Sequence, residues 1–182
     1  MSKLNPLLKI PYTAFNDDWD LLQQFLVRRG NPRYEIVGDV MLYNQKNIFD
    51  LKNLVRVYGD LILINTPIQS LGNLEYVGGD LDLRKTPIQS LGNLVWVDGI
   101  LNLDSTPIQS LGNLVRIDGH LFLSETPIES LGNLEYVGGY LFLNETPIES
   151  LGNLKYVGDT IVLSSDHQIP LEQLTKFKFK YM

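Results

Sequence analysis

The chain has 182 residues and no cysteine. This absence excludes disulfide bonds, cysteine-ligated zinc sites and thiol nucleophiles. Histidine is almost as scarce: His120 and His167 are the two copies, and neither has a serine or carboxylate at a spacing that defines a triad or a general base. Two separated histidines and scattered aspartates make a poor metal site. We therefore predict a protein that is not an enzyme and has no cofactor and no metal.

Long apolar runs are also missing. No segment approaches membrane-spanning length, and no uninterrupted apolar stretch follows the first lysines as it would in a secretory signal. Both observations predict a cytoplasmic protein that makes no contact with a membrane. The chain carries 15 Lys and Arg against 21 Asp and Glu, a formal charge of −6. Nucleic acid is disfavoured as a partner because phosphate contacts need clustered Lys and Arg.

One repeated block dominates what is present. From Thr66 onward, T-P-I-x-S-L-G-N-L, with Gln or Glu at x, recurs five times at a period of 20 residues. A fixed period of this length indicates stacked copies of one supersecondary unit. Within a unit the apolar residues are unevenly spaced, which fits neither one helix nor one long strand. Each unit is therefore predicted to be a coil that turns inward at intervals.

Only the L-x-L part of each unit has the two-residue period of a strand. It predicts seven strands, at residues 40–42, 61–63, 81–83, 101–103, 121–123, 141–143 and 161–163. Three further positions have predicted local roles. The Ser before each L-G-N-L caps a short helical turn. The Asn of L-G-N-L either forms a side-chain ladder or tolerates a left-handed backbone angle. The Gly before each strand, as at Gly119, has a positive φ. Asp159 replaces that glycine in the last coil, where it is expected to be strained.

Residues 81–91 read L-D-L-R-K-T-P-I-Q-S-L. This segment resembles the leucine-rich repeat consensus L-x-L-x-x-N-x-L-x-x-L, with Thr86 in place of Asn, and V-G-G-x-L-x-L is similar to the receptor L-domain repeats. The resemblance covers residues 36–174 and implies a right-handed β-solenoid with a parallel sheet on one face and short turns on the other. Pentapeptide repeats and left-handed β-helices fit the spacing less well, since they need five-residue and six-residue steps.

The two ends differ from the repeats. Residues 1–35 are predicted to form an N-terminal cap with a helix at about 17–29, either as a lid over the first coil or as a docking helix for a partner. Residues 36–174 form the leucine-rich-repeat solenoid, and residues 175–182 a C-terminal cap or edge strand. The three lysines of this tail either guard an exposed sheet edge against other strands or help the tail to pair with another chain.

Function is sought where near-identical repeats differ from one another. Stacking in register predicts an aromatic cluster on the strand face, formed by His120, Phe122, Tyr140 and Phe142. Ile100 and Val162 are expected beside it, and Asp82, Arg84 and Asn102 form part of a polar flank. Aromatic residues that are exposed together are typical of protein-binding hot spots. The cluster therefore predicts a protein partner; the alternatives are a homodimer and cover by the chain's own termini.

A second row precedes the valine of each coil: Arg56, Tyr76, Trp96, Arg116, Tyr136 and Tyr156. We expect it to stack as a structural ladder, with a second contact surface as the alternative.

Three classes of function follow. The first is a non-enzymatic module that binds a protein through the strand face and sequesters or inhibits it, in a style typical of bacterial or phage products. The second is a structural, self-assembling protein that uses the same face or its ends. The third is an acidic mimic of nucleic acid.

Overall fold

The computed structural model describes residues 7–182 and shows a β-solenoid with two parallel sheets. Sheet A contains, in order, β1 (Leu8–Pro11), β2 (Tyr34–Val37), β4 (Leu54–Val57), β6 (Tyr76–Val77), β8 (Trp96–Val97), β10 (Arg116–Ile117), β12 (Tyr136–Val137) and β14 (Tyr156–Val157). Sheet B contains β3 (Val40–Met41), β5 (Leu61–Ile62), β7 (Leu81–Asp82), β9 (Leu101–Asn102), β11 (Leu121–Phe122), β13 (Leu141–Leu143), β15 (Thr160–Leu163) and β16 (Lys178–Tyr181). Two helices, α1 (Trp19–Val27) and α2 (Leu171–Leu174), and a 3-10 turn (Tyr12–Phe15) lie towards the ends.

The predicted β-solenoid with a parallel sheet is confirmed, and the seven L-x-L segments are β3 to β15 of sheet B. Sheet A was not predicted. The resemblance implied turns on that side, but each coil contributes a strand there, most of them two residues long. Two residues are too few to show an alternating pattern, so these strands cannot be distinguished from a turn by periodicity alone.

In the interior, equivalent residues of successive coils lie next to each other. Leu81 pairs with Leu101, and Leu101 with Leu121, in register along sheet B. Val77 and Val97 pair in the same way in sheet A. All of these side chains are fully buried. Burial of aliphatic surface between coils is the main source of stability, since a coil alone leaves the edges of its own side chains in water.

The Thr-Pro corner closes the end of each sheet B strand. The Thr86 hydroxyl donates to the carbonyl of Leu83 at 2.6 Å, and the backbone N–H of Thr86 donates to the same oxygen at 3.2 Å. The side chain is buried. Thr86 therefore makes its hydrogen bonds within its own corner, at the position where the consensus has Asn.

The predicted serine caps are present. The Ser90 hydroxyl accepts the N–H of Gly92 at 3.2 Å, and the bond recurs at Ser70, Ser110, Ser130 and Ser150. The capped segment is a turn and not a helix. The asparagine ladder is only partly as expected: Asn73 donates to the Asn53 side chain at 3.1 Å, whereas Asn93 donates to the carbonyl of Gly72 at 3.1 Å.

The expected reason for the glycines before the strands was wrong. Positive φ occurs instead at the glycine of L-G-N-L, as at Gly132 (φ 56°), and at the residue before each corner threonine, as at Lys85 (φ 59°). Gly119 has no positive φ, but a Cβ there would overlap the carbonyl of Gly99 in the preceding coil. Close approach of two coils therefore requires this glycine. Asp159 is likewise outside the positive-φ set, so its expected strain is not found.

Helix α1 and strand β16 lie towards the two ends of the described stack. The Asp18 side chain caps α1 by accepting the N–H of Leu21 at 2.9 Å, and α1 buries Trp19, Leu22 and Leu26 in the core. At the other end β16 pairs in parallel with β15, so the tail extends sheet B instead of crossing its outer face. Within residues 7–182, no helix has the length and apolar character needed to cross a membrane.

Candidate functional site

The structure brings the four rings of the predicted aromatic cluster together on the outer face of sheet B. Phe122 and Phe142 are paired in register, and their rings stack with centroids 4.7 Å apart and planes 5° apart. Tyr140 lies 5.7 Å from Phe142, and His120 lies 5.4 Å from Tyr140. The four residues are half-buried, because each ring covers part of its neighbours. Ring contacts connect all four residues, so their remaining exposed surface forms one aromatic patch with the His120 imidazole and the Tyr140 hydroxyl as its polar groups.

His120 is held in place by its own backbone neighbourhood. Its Nδ1 accepts the N–H of Tyr140 at 2.9 Å, so that nitrogen carries no proton and the neutral ring has its N–H on Nε2. The same bond is made earlier in the stack by carboxylates: Asp60, Asp80 and Ile100 donate their N–H groups to Asp39, Asp60 and Asp80 at 2.9, 2.8 and 2.7 Å. Asp39, Asp60, Asp80 and His120 therefore form an acceptor row along the stack. Ile100, between Asp80 and His120, is the one position in this row without a side-chain acceptor.

Val162 does not contribute to an exposed surface. Its side chain is 0 % exposed, and its position lies between Phe142 and Lys180 in the register of sheet B. The prediction placed Val162 beside the cluster without a further strand beyond it. Because β16 adds that strand, Val162 is covered. Ile100 is half-buried and lies on the other side of the cluster.

The polar flank is internally paired. Arg84 binds Asp82 through two bonds, Nε to Oδ1 at 3.0 Å and Nη2 to Oδ2 at 2.7 Å, and this pairing raises the pKa of Arg84. Asn102 accepts the N–H of Asp104 at 3.1 Å. Asp104 accepts the N–H of Ser124 at 2.8 Å, and burial raises the pKa of the Asp104 carboxyl. The flank thus offers groups whose orientation is already fixed.

Two lysines beside the cluster were missed as site residues. Lys178 and Lys180 lie on β16, in register with Thr160 and Val162 of β15. Since Ile161 and Leu163 belong to the core and Val162 does not, residues 160 and 162 point outward, and their register partners share that face. The alternation K-F-K-F-K-Y was a usable signal for a strand. An edge strand was one of the two alternatives for this tail, but its register on β15 was not predictable, because Thr160 and Lys178 are 18 residues apart and break the period of 20.

The second row forms a ladder of side-chain contacts on sheet A, in which some contacts are stacked and the Tyr76–Trp96 contact is edge-to-face. Tyr76 and Trp96 meet with centroids 5.8 Å apart, the Arg116 guanidinium lies 4.1 Å from the centre of the Tyr136 ring, and Tyr136 stacks on Tyr156 at 4.7 Å. The Tyr76 hydroxyl donates to Asp98 at 2.5 Å, which raises the pKa of Tyr76 to about 12. The ladder runs along sheet A from β6 to β14, whereas Arg56 on β4 is paired with Glu35 of β2 at 3.0 Å.

Metal-binding geometry is absent from residues 7–182, where no three His, Cys, Asp or Glu side chains are grouped around a common point. His167, the second histidine, stacks on Tyr181 at 5.6 Å and is not part of the aromatic cluster.

Comparisons with known proteins give no relative for this chain: no family model, no curated protein and no solved structure matches it.

Proposed function

We propose that this protein is a non-enzymatic binding module that recognises another protein chain through the outer face of sheet B. The observation that carries the proposal is the continuous patch of four rings, in which Phe122 and Phe142 stack at 4.7 Å. Aromatic side chains bury a large area on contact and are enriched among the residues that dominate binding energy.

The patch is preorganised for contact. Its rings hold one another in place, and His120 is fixed through Tyr140 at 2.9 Å. Binding therefore orders few additional side chains and loses little conformational entropy. The ion pair of Asp82 with Arg84 lies two strands away from Phe122, and the pairing fixes the positions of both charged groups. Such charge favours one orientation of the partner over others.

We further propose that the chain belongs to the leucine-rich repeat family, acts in the cytoplasm and sequesters or inhibits the protein that it binds. The family assignment is supported by the L-x-L strands of sheet B, whereas the corner threonines, such as Thr86, depart from the consensus asparagine.

The acidic mimic of nucleic acid is the weakest of the three classes. The carboxylates of Asp39, Asp60 and Asp80 accept backbone N–H groups, and Asp82 is paired with Arg84. A mimic needs carboxylates in two dense rows, whereas these carboxylates form one short row, and the charge of Asp82 is offset by Arg84.

The proposal is tested with a photo-crosslinking residue placed at Phe122 or, as a matched control on sheet A, at Tyr156. Both side chains are aromatic, lie on a strand and are accessible. We expect protein crosslinks from position 122 that disappear when Phe142→Ser is added, and none of these crosslinks from position 156. The same crosslinked species from both positions, or crosslinks at 122 that persist with Phe142→Ser, would contradict a specific site on sheet B.

A further inference from the structure

The outer face of sheet B changes character along the stack. The strand order places β7 with Asp80 and Asp82 towards one end, β11 and β13 with the aromatic cluster in the middle, and β16 with Lys178 and Lys180 at the other end. The face thus has carboxylates on one side of the aromatic cluster and lysines on the other; Arg84 offsets the charge of Asp82 and leaves that of Asp80. Lys178 and Lys180 are exposed and form no ion pair within residues 7–182.

We propose that the protein recognised by sheet B is a second copy of this chain, packed face to face with its stack running in the opposite direction. This inference rests on the proposed function and names its partner. In such a dimer the aromatic clusters cover each other, and the basic strand of each copy meets the acidic strand of the other.

The strand order supplies the geometry of this dimer. A two-fold axis that runs parallel to the strands, midway between β11 and β13, has β13, β15 and β16 on one side and β11, β9 and β7 on the other. The basic and acidic strands are thus both third from the axis. With strands about 4.8 Å apart, each lies about 12 Å from it. A two-fold contact requires this kind of matching, because the same surface must complement itself.

The individual positions also match. Rotation about this axis preserves the order along a strand, so Lys178 faces Asp80 of the second copy and Lys180 faces Asp82. Phe122 faces Phe142, and His120 faces Tyr140. Strand β9 faces β15, which brings Ile100 opposite Thr160. Between β7 and β16 no like charges fall directly opposite each other: Arg84, which follows β7 and is paired with Asp82, lies level with Met182. Like charges would oppose association.

Lys178 and Lys180 can contribute to the face contact and still protect the edge of sheet B. A lysine on a sheet edge commonly prevents another strand from pairing with that edge. Lys178 and Lys180 retain this role in the dimer, because the contact uses the face of sheet B and leaves the edge of β16 unpaired. Lys178 and Lys180 thus protect the edge of β16 from strand pairing and also contribute to the contact on the outer face of sheet B.

The test uses two charge reversals, Lys180→Glu and Asp82→Lys. Alone, each variant places like charges opposite each other twice in its homodimer. Mixed together, they form a heterodimer with two attractive contacts: the two substituted side chains meet at one, and the native Lys180 and Asp82 meet at the other. Lys155→Glu is the control, because Lys155 precedes β14 of sheet A and lies off the proposed face. Sedimentation velocity over a concentration series measures association, and circular dichroism checks that each variant is folded.

We expect the native chain and Lys155→Glu to dimerise with equal affinity. Each charge reversal alone should weaken dimerisation by at least about tenfold, since like charges in an interface oppose association strongly. An equimolar mixture should restore the dimer. A native chain that stays monomeric up to millimolar concentration overturns the inference, as does a dimer that neither reversal weakens. A monomer that still crosslinks to another protein from position 122 defeats the dimer but not the proposed function; loss of both defeats the two proposals together.

Discussion

The Nδ1 atom of His120 accepts the backbone N–H of Tyr140, one coil further along the stack, at 2.9 Å. An imidazole thus continues a row of acceptors that aspartates begin.

We expect His120→Leu to lower the free energy of unfolding by about 1 kcal/mol, because the Tyr140 N–H then lacks its acceptor in a half-buried position. His120→Asn has a side-chain oxygen in reach of the same N–H and should lose clearly less. Urea unfolding of the three proteins measures the difference. Equal losses in both variants would show that the imidazole acts through packing alone.

The left-handed residue before each corner threonine predicts a stabilising substitution. Lys85 has φ 59°, and its side chain makes no hydrogen bond within the described residues. Lys85→Gly should raise the unfolding free energy by about 0.5 to 1 kcal/mol, because a Cβ is disfavoured in this conformation. Gln89→Gly is the control: Gln89 is also exposed but has no positive φ, so glycine there only adds chain entropy to the unfolded state. A gain for Gln89→Gly would remove the conformational explanation.

Two glycines that differ in kind should respond differently to alanine. Gly119→Ala forces a methyl group against the Gly99 carbonyl, and we expect a loss of about 3 kcal/mol or more, since backbone atoms cannot move aside as side chains do. Gly132 has φ 56° but nothing within 4 Å of an added methyl group, so Gly132→Ala should cost about 1 kcal/mol. Thermal unfolding distinguishes the two, and the reverse order of stability would refute the close-approach explanation.

Asp104 predicts a pH dependence. Burial raises its pKa above the ordinary value of 3.8, so the folded protein holds this proton more tightly than the unfolded chain. The contribution of Asp104 to the free energy of unfolding is therefore at its maximum below about pH 3.8, and it is lost as the pH rises through the raised pKa. Asp104→Asn retains an acceptor for Ser124 and removes the charge, and it should be more stable than the native chain at pH 7.

The advantage of Asp104→Asn should shrink as the pH falls towards about 3.5, where the native carboxyl is largely neutral as well. Urea unfolding of both proteins at the two pH values checks this. An advantage that is the same at both pH values would mean that the buried charge is not its cause.

Sheet B and its cluster could be predicted because their signals repeat. Leu81 and Leu83 alternate with an outward residue, and a period of 20 brings Phe122 next to Phe142. Sheet A could not, because Tyr76–Val77 is too short to show alternation. The role of Gly119 depends on how closely two coils approach each other, and the sequence of a single coil does not give this distance.

The burial of Val162 and the position of Lys180 share one cause. Both depend on β16 lying beside β15, and the offset of 18 residues from Thr160 to Lys178 departs from the period of 20 that relates the strands of sheet B from β5 to β15. A sequence pattern locates only those neighbours that obey its period. The candidate site was thus predictable in its centre and not at its basic end.

Leu81 rests on Leu101, and Leu101 on Leu121, with the same contacts at each level. The regular windings from β5 to β13 can therefore be neighbours of one another in any order, and a gain or loss of one whole 20-residue unit among them leaves the interior unchanged. Such a change would lengthen or shorten the outer face in steps of one strand. The molecule can in this way alter its reach towards a partner without having to evolve a new core.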